Sequence, residues 1–437
     1  MAENELIRNK VSDKSVIDLI DRQIGLHPKV LALREEGREA FIRIGLPANK
    51  AEEFRHTPIT RLLQKNLLLE PGENRLGPLS AETIKIEGLD AYQVVFVNGI
   101  YLERLSNLPT GSDIVVRPLA DAVEAGDPLV LEHLGKYADY QTDGFVAWNT
   151  AAWSNGVFIH AKRNAIIDKP IYLVYWHHAD SEEVVSVVRN LIIVETNAQL
   201  EVFERYGSAG NASHFSNHVT EALVRANGGL DLYTLQNDEG QRYQYAFTRI
   251  HQEPSSRANT YAFTFDGKLV RNTLQLALDG EGIESHMFGL YLVSGDTIAD
   301  NHTVVDHLKP NSFSNEIYKG ILDGNSKGIF NGKIYVRPQA QKTNAFQANR
   351  NILMSDNATV NTKPQLEIWA DDVKCSHGCT TGQLDEEAIF YLQSRGIDKN
   401  TARAMMLFAF AIEVLDNIRH AGLRHYLESI IREKLHQ

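Results

Sequence analysis

The spacing of apolar residues divides the chain into three textures. Near the N-terminus Val16, Ile20 and Ile24 recur at one-turn spacing, as do Val30, Leu33, Ala40, Phe41 and Ile44, which predicts helices with apolar stripes. Pro28 suits a helix start, and Gly45 with Pro47 closes the second helix. The stretch from about Glu70 to Ser80, with Pro71, Gly72, Gly77 and Pro78, reads as a linker.

From about Ala91 to His377 short β-rich runs take over. They alternate with Asn98-Gly99, Asn155-Gly156, Asn227-Gly228, Asp266-Gly267, Asp279-Gly280, Asp323-Gly324 and Asn331-Gly332, dipeptides that supply the positive φ of tight turns. Leu274, Leu276 and Leu278 alternate by twos, as do Leu366 and Ile368, so each set shares one face of a strand. A small polar turn followed by an apolar run recurs at unequal spacings. Many short strands without intervening helices suggest a sandwich, a barrel or a β-solenoid, and periodicity leaves that choice open.

The last stretch returns to helix. Asp385 is a suitable N-cap for a helix through Phe390 and Leu392, and Gly396 a suitable stop. A second helix follows from about Asp398 to Arg419, and an amphipathic third from about Leu423 to Leu435. The second is apolar on several sides, which predicts that it packs in the fold or meets a partner.

Composition narrows the function classes. The chain of 437 residues is 43% hydrophobic and 23% charged, as an ordered protein is, and carries a formal net charge of -12. Such a surface repels phosphate backbones and anionic lipid, so neither a nucleic-acid nor a membrane partner is expected. The beginning, MAENELIRNK, does not resemble a secretory signal. The longest strongly apolar stretch, Met405 to Ile412, falls far short of the roughly 20 residues that span a bilayer. Two cysteines make no disulfide framework, and the expected compartment is the cytoplasm.

The stretch Ala370-Asp-Asp-Val-Lys-Cys-Ser-His-Gly-Cys379 carries the most chemistry. Cys375, His377 and Cys379 lie two residues apart, so an extended backbone presents all three on one side. Thiolate and imidazole suit iron, zinc or a cluster, although Val373 shares that face and a free cysteine is often simply buried. Asp300, His302, Asp306 and His307 form a second acid–histidine group, and His177-His178 a pair. The amides of Asn331 and of Gln341 to Gln347 read as structural bonds between stacked layers. The chain has no Walker A loop, Gly-x-Ser-x-Gly elbow or His-Glu-x-x-His helix.

Several of these stretches together resemble a known family. Asp306-His307, Tyr318-Lys-Gly-Ile-Leu322, Asn331-Gly-Lys-Ile334, Ala340-Gln-Lys-Thr343, Ala370 to Gly378 and Phe390 to Ile397 look like the SufB/SufD family of iron–sulfur cluster assembly proteins. Gly45-Leu-Pro47 with Glu52 to Thr57, Val97-Asn-Gly99 and Pro170-Ile171 are similar to weaker family features, so the likeness runs nearly end to end. The Asp-Asp-Val-Lys-Cys-Ser-His-Gly string resembles the SufD branch. Cys379 stands where the family usually has alanine, and is expected to be a small buried residue.

The resemblance implies a mainly β fold, a right-handed parallel β-helix over residues 90–380 between helical regions at 1–75 and 383–437. It implies a non-catalytic scaffold that pairs with a SufB-like paralogue and a SufC-like ATPase, with a homodimer open to the isolated chain. Cys375 and His377, with Cys379 as a further candidate, would meet iron or a nascent cluster at a subunit interface, transiently and shared with a partner chain, none being firmly bound to the isolated chain. Met405, Leu407, Phe408, Phe410, Ile412 and Leu415 are the expected docking surface for the ATPase. The competing expectation is a polysaccharide-cleaving enzyme on the same fold, with Asp300, Asp306 and Arg337 as acid–base groups.

Overall fold

A computed structural model describes residues 16–18, 20–21, 27–48, 50–65, 79–178 and 184–436. Ile24 and most of the expected linker lie outside them. Helices α1 (Pro28–Ile44), α2 (Ile59–Lys65) and α3 (Ala81–Ile84) precede the first strands. Pro28 opens α1 and Gly45, with φ of 69°, ends it.

Strands β1 (Tyr92–Val97) and β2 (Ile100–Tyr101) form a hairpin through the turn at Asn98 and Gly99, and β3 (Ile114–Pro118) pairs antiparallel with β4 (Val157–Ala161). Between β3 and β4 the chain folds into α4 (Leu119–Glu124), α5 (Pro128–His133) and α6 (Gly144–Ala152), where the sequence suggests strands. Every residue of α6 is buried, so it shows no polar stripe to mark it as a helix. Asp143 caps it by accepting from Phe145 and Val146 N–H.

From β4 onward the strands stack in parallel in two sheets. The first holds β4, β6 (Val184–Val194), β8 (His214–Val224), β10 (Arg242–Gln252), β12 (Leu269–Leu278), β14 (Ile298–His307), β16 (Lys327–Val336) and β18 (Thr359–Ile368). The second holds β5 (Ile171–His178), β7 (Gln199–Ala209), β9 (Gly229–Asn237), β11 (Arg257–Asp266), β13 (Glu284–Val293), β15 (Phe313–Leu322), β17 (Asn344–Leu353) and β19 (Lys374–Gly382). The result is a parallel β-helix of about eight coils. Alternation by twos sends Leu274, Leu276 and Leu278 into the interior with Val305, Phe330 and Ile334.

Each outer face is covered by helices. On the first sheet, Phe215, Tyr245 and Phe247 pack under α6, and Arg189 pairs with Glu221 at 2.7 Å with neither side chain exposed. Glu221 also accepts from the N–H groups of Gly135, Tyr137 and Ala138, so the buried charge pair is fully bonded. On the second, Tyr233, Tyr261 and Phe288 stack rung on rung beneath the C-terminal helices α8 (Lys399–Leu415) and α9 (Ala421–His436), which follow α7 (Glu386–Ser394). Lys319, almost wholly buried, ties α8 down by donating to Phe410 O at 2.9 Å and pairing with Glu413.

Candidate functional site

The last coil differs from all those before it. Strands β18 and β19 end their respective sheets and contain no buried residue. Lys374 N donates to the O of Thr343, the residue before β17. In a parallel ladder successive residues turn their peptide groups to opposite sides, so those of Cys375, His377, Cys379 and Thr381 face the free edge. Ile368 and Trp369, both exposed, sit where β18 leaves the coil. Unpaired edge and exposed apolar side chains together make a surface for another chain.

Cys375, His377 and Cys379 share the inward-facing register of β19, in line with Ala345, Gln347 and Asn349 of β17. Cys375 is half-buried against the core, and burial pushes its thiol above the ordinary value. Among the described residues only a bond from the Ala345 backbone opposes this, and no neighbouring cation does. His377 and Cys379 are exposed. The exposure of Cys379 corrects the expectation of a small buried residue, because among the described residues no further strand follows β19 in its sheet to cover it. Among the described residues no three His, Cys, Asp or Glu side chains converge as a metal site. The strand thus offers a thiol and an imidazole at an open end and leaves the rest of any ligand set to another source.

A polar interior lies beneath this mouth. Gln347 donates through Nε2 to Glu316 Oε2 at 2.7 Å, and both are buried. Burial raises the Glu316 carboxyl to about 7, against the pull of bonds from Thr303 and Gln347. Gly332 is the reason Gln347 fits: a Cβ there would fall 2.1 Å from its Nε2. Asn331-Gly332, expected as a turn, therefore lies inside β16, where a glycine makes room rather than bends the chain. Of the amides expected to bond between layers, Gln347 does so with Glu316 and Gln341 by accepting from Asp372 N–H at 2.9 Å, whereas Asn331 Oδ1 has no partner among the described residues.

The other histidines are placed apart. His307 faces inward and bonds Ser314 at 2.9 Å, whereas Asp300 and His302 face outward, 2.9 Å apart. Asp300 is fully buried, which alone would raise its pKa; Arg271 and His302 hold it well below the carboxylate range. It also accepts from Thr57, while Arg271 donates to Glu53 O, Lys333 pairs with Glu53 and Lys363 with Glu52. The Glu52–Thr57 segment is thereby clamped onto the β-helix. Asp306 is occupied by Arg337 through two 2.7 Å bonds. His177 lies inside, 4.0 Å from the His214 ring and 3.2 Å from Asp238.

The residues expected to dock an ATPase divide. Leu407 and Leu415 are buried in this chain's own core, and Phe408, Phe410 and Ile412 pack partly against it. Met405 is exposed, as are Phe390 and Tyr391 on α7, which helical spacing did not single out. Removing α8 and α9 would uncover Tyr261, Phe288 and Leu290, so point changes test docking more cleanly than truncation.

Comparison with known proteins relates nearly the whole chain to one family. Residues 18–173 match the SufBD protein N-terminal region, and residues 177–410 match the SUF system FeS cluster assembly SufBD core domain. An iron–sulfur cluster assembly SufBD family protein of Synechocystis is 30% identical, over 93% of this chain and 92% of its own length. The iron–sulfur cluster assembly protein SufD of Escherichia coli is 30% identical over 91% of each chain. The iron–sulfur cluster assembly protein SufB of Bacillus subtilis is 24% identical over 77% of this chain and 72% of its own.

Proposed function

Because the chain belongs to the SufBD family of iron–sulfur cluster assembly proteins, we propose that it is a scaffold subunit whose open coil meets a SufB-like β-helix. The observation that carries this reading is the coincidence, on one uncovered edge strand, of free peptide groups with Cys375 and His377. A second edge strand added there extends the sheet across the two chains and brings its own side chains beside the thiol and imidazole. Iron or a nascent cluster is the cargo. Cys375 supplies a thiolate, His377 a nitrogen, and the partner the remaining ligands. A ligand set split between chains is made and unmade by their relative motion, which a SufC-like ATPase docked on Phe390, Tyr391 and Met405 would drive. No helix among the described residues is long and apolar enough to cross a membrane, and the proposed setting is the cytoplasm.

The test is to purify the tagged chain from a cell that makes its partners. Wild type should bring down a SufB-like and a SufC-like protein. Thr381→Pro removes an N–H from the free edge and, apart from the 3.5 Å bond from Asn351 to the Thr381 hydroxyl, spares the bonds to β17, so it should lose the SufB-like protein while its Tm falls by less than about 4 °C. Retention of that partner by the proline variant would contradict pairing through this edge.

A further inference from the structure

Glu316, Gln347 and His377 are successive rungs of one inward-facing ladder: Glu316 on β15 pairs in register with Gln347 on β17, and Gln347 with His377 on β19. The two inner rungs are buried and joined by the 2.7 Å bond, which commits the Gln347 amide nitrogen to Glu316. Gln347 Oε1 is buried and has no partner among the described residues. A buried carbonyl without a donor is costly, and the next rung above it is an imidazole whose N–H is a donor. The bond to Glu316 holds the amide nitrogen, so the carbonyl is the end left for the outer coil.

We propose that Gln347, oriented by Glu316, is a positioning residue for His377: its Oε1, unpartnered in the structure, is the acceptor for one ring N–H once the His377 ring turns over it, which leaves the other ring nitrogen for the iron shared with Cys375. This rests on the reading of His377 as a ligand. A histidine ligand is commonly fixed in ring orientation and tautomer by a bond to its second nitrogen, and loss of such a bond lowers metal affinity or activity by about 10- to 100-fold. The arrangement gives the acceptor at position 316 a role although it lies two rungs from the exposed coil.

Two readouts test it on the full chain. In metal-free protein with nitrogen-15 histidine, the His377 ring signals are those missing from His377→Ala. Wild type should show one tautomer with a slowly exchanging N–H, and Gln347→Met, which keeps the volume, a mixture. Glu316→Gln still accepts from Gln347 and should look like wild type. In a cell lacking the native copy, Gln347→Met should slow cluster maturation by about 10-fold, with no further loss when His377→Ala is already present. An unchanged His377 tautomer in Gln347→Met, or a full extra loss on the His377→Ala background, would overturn the relay while leaving the ligand reading in place. Normal maturation by His377→Ala itself would remove the ligand reading and the relay with it.

Discussion

Strands β6 and β8 are buried at all eleven residues of each, whereas β18 and β19 contain no buried residue. The backbone is the same parallel ladder in both places. The early coils lie between the apolar interior and α6, and every ladder edge there meets another strand. The last coil has a neighbour on one side only. Solenoids need their ends covered, so an end left bare while the opposite one is closed by a hairpin, antiparallel strands and helices is a surface kept for something else. The difference separates two kinds of polar residue. Arg189, Glu221, Glu204 and His218 are buried and bear on stability, while Cys375 and His377 are cheap to change structurally and carry the proposed function.

The largest expected effect falls in the closed region. Arg189→Met strands Glu221 in a dry environment and should cost about 3–5 kcal/mol in denaturant unfolding, although the methionine fits the volume. A loss below about 1 kcal/mol would mean that the three backbone donors to Glu221 suffice, and would weaken the contrast.

Next comes a pH effect from the same region. Burial raises the Glu204 carboxyl to about 7, with bonds from Thr234, Tyr206, Asn190 and Thr220 opposing it. Its unfolded value is near 4.5, so between the two the native state holds the extra proton and stability falls as pH rises. The penalty is absent below about pH 4.5 and full above pH 7, about 3 kcal/mol. Glu204→Gln does not titrate. Relative to wild type it should therefore gain about 3 kcal/mol between pH 4.5 and pH 8, measured by chemical denaturation. A difference independent of pH would place water at that carboxyl. The smallest effect belongs to the open coil: Cys379→Ser, an exposed change, should alter stability by less than about 0.5 kcal/mol and leave cluster maturation at the wild-type rate.

Much of this contrast could be read from the sequence. Alternation in Leu274, Leu276 and Leu278, the cap at Asp385, the helix start at Asp398 and the stop at Gly396 are local signals, and each stands where expected. What was not legible depends on register between residues far apart. Gln347 meets Glu316 across 31 residues at no fixed repeat, and Gly332 looks like a turn until the side chain opposite it is known. Leu407 and Leu415 could equally have faced out; the aromatic stack on the second sheet decides that they face in. Helix α6 hid because it is apolar all round. The cysteine and histidine of the open coil stood out because alternation on a strand needs only neighbours in sequence.

The most direct measurement of the central claim is the rate of cluster maturation in a cell whose only copy carries Cys375→Ser. The side chain keeps its size and loses the soft donor. The account expects a purified variant that melts within about 4 °C of wild type, retains its partners and fails to support maturation. Maturation at the wild-type rate, with the complex intact, would show that the half-buried thiol only fills the end of the core and that the open coil binds a partner without holding cargo.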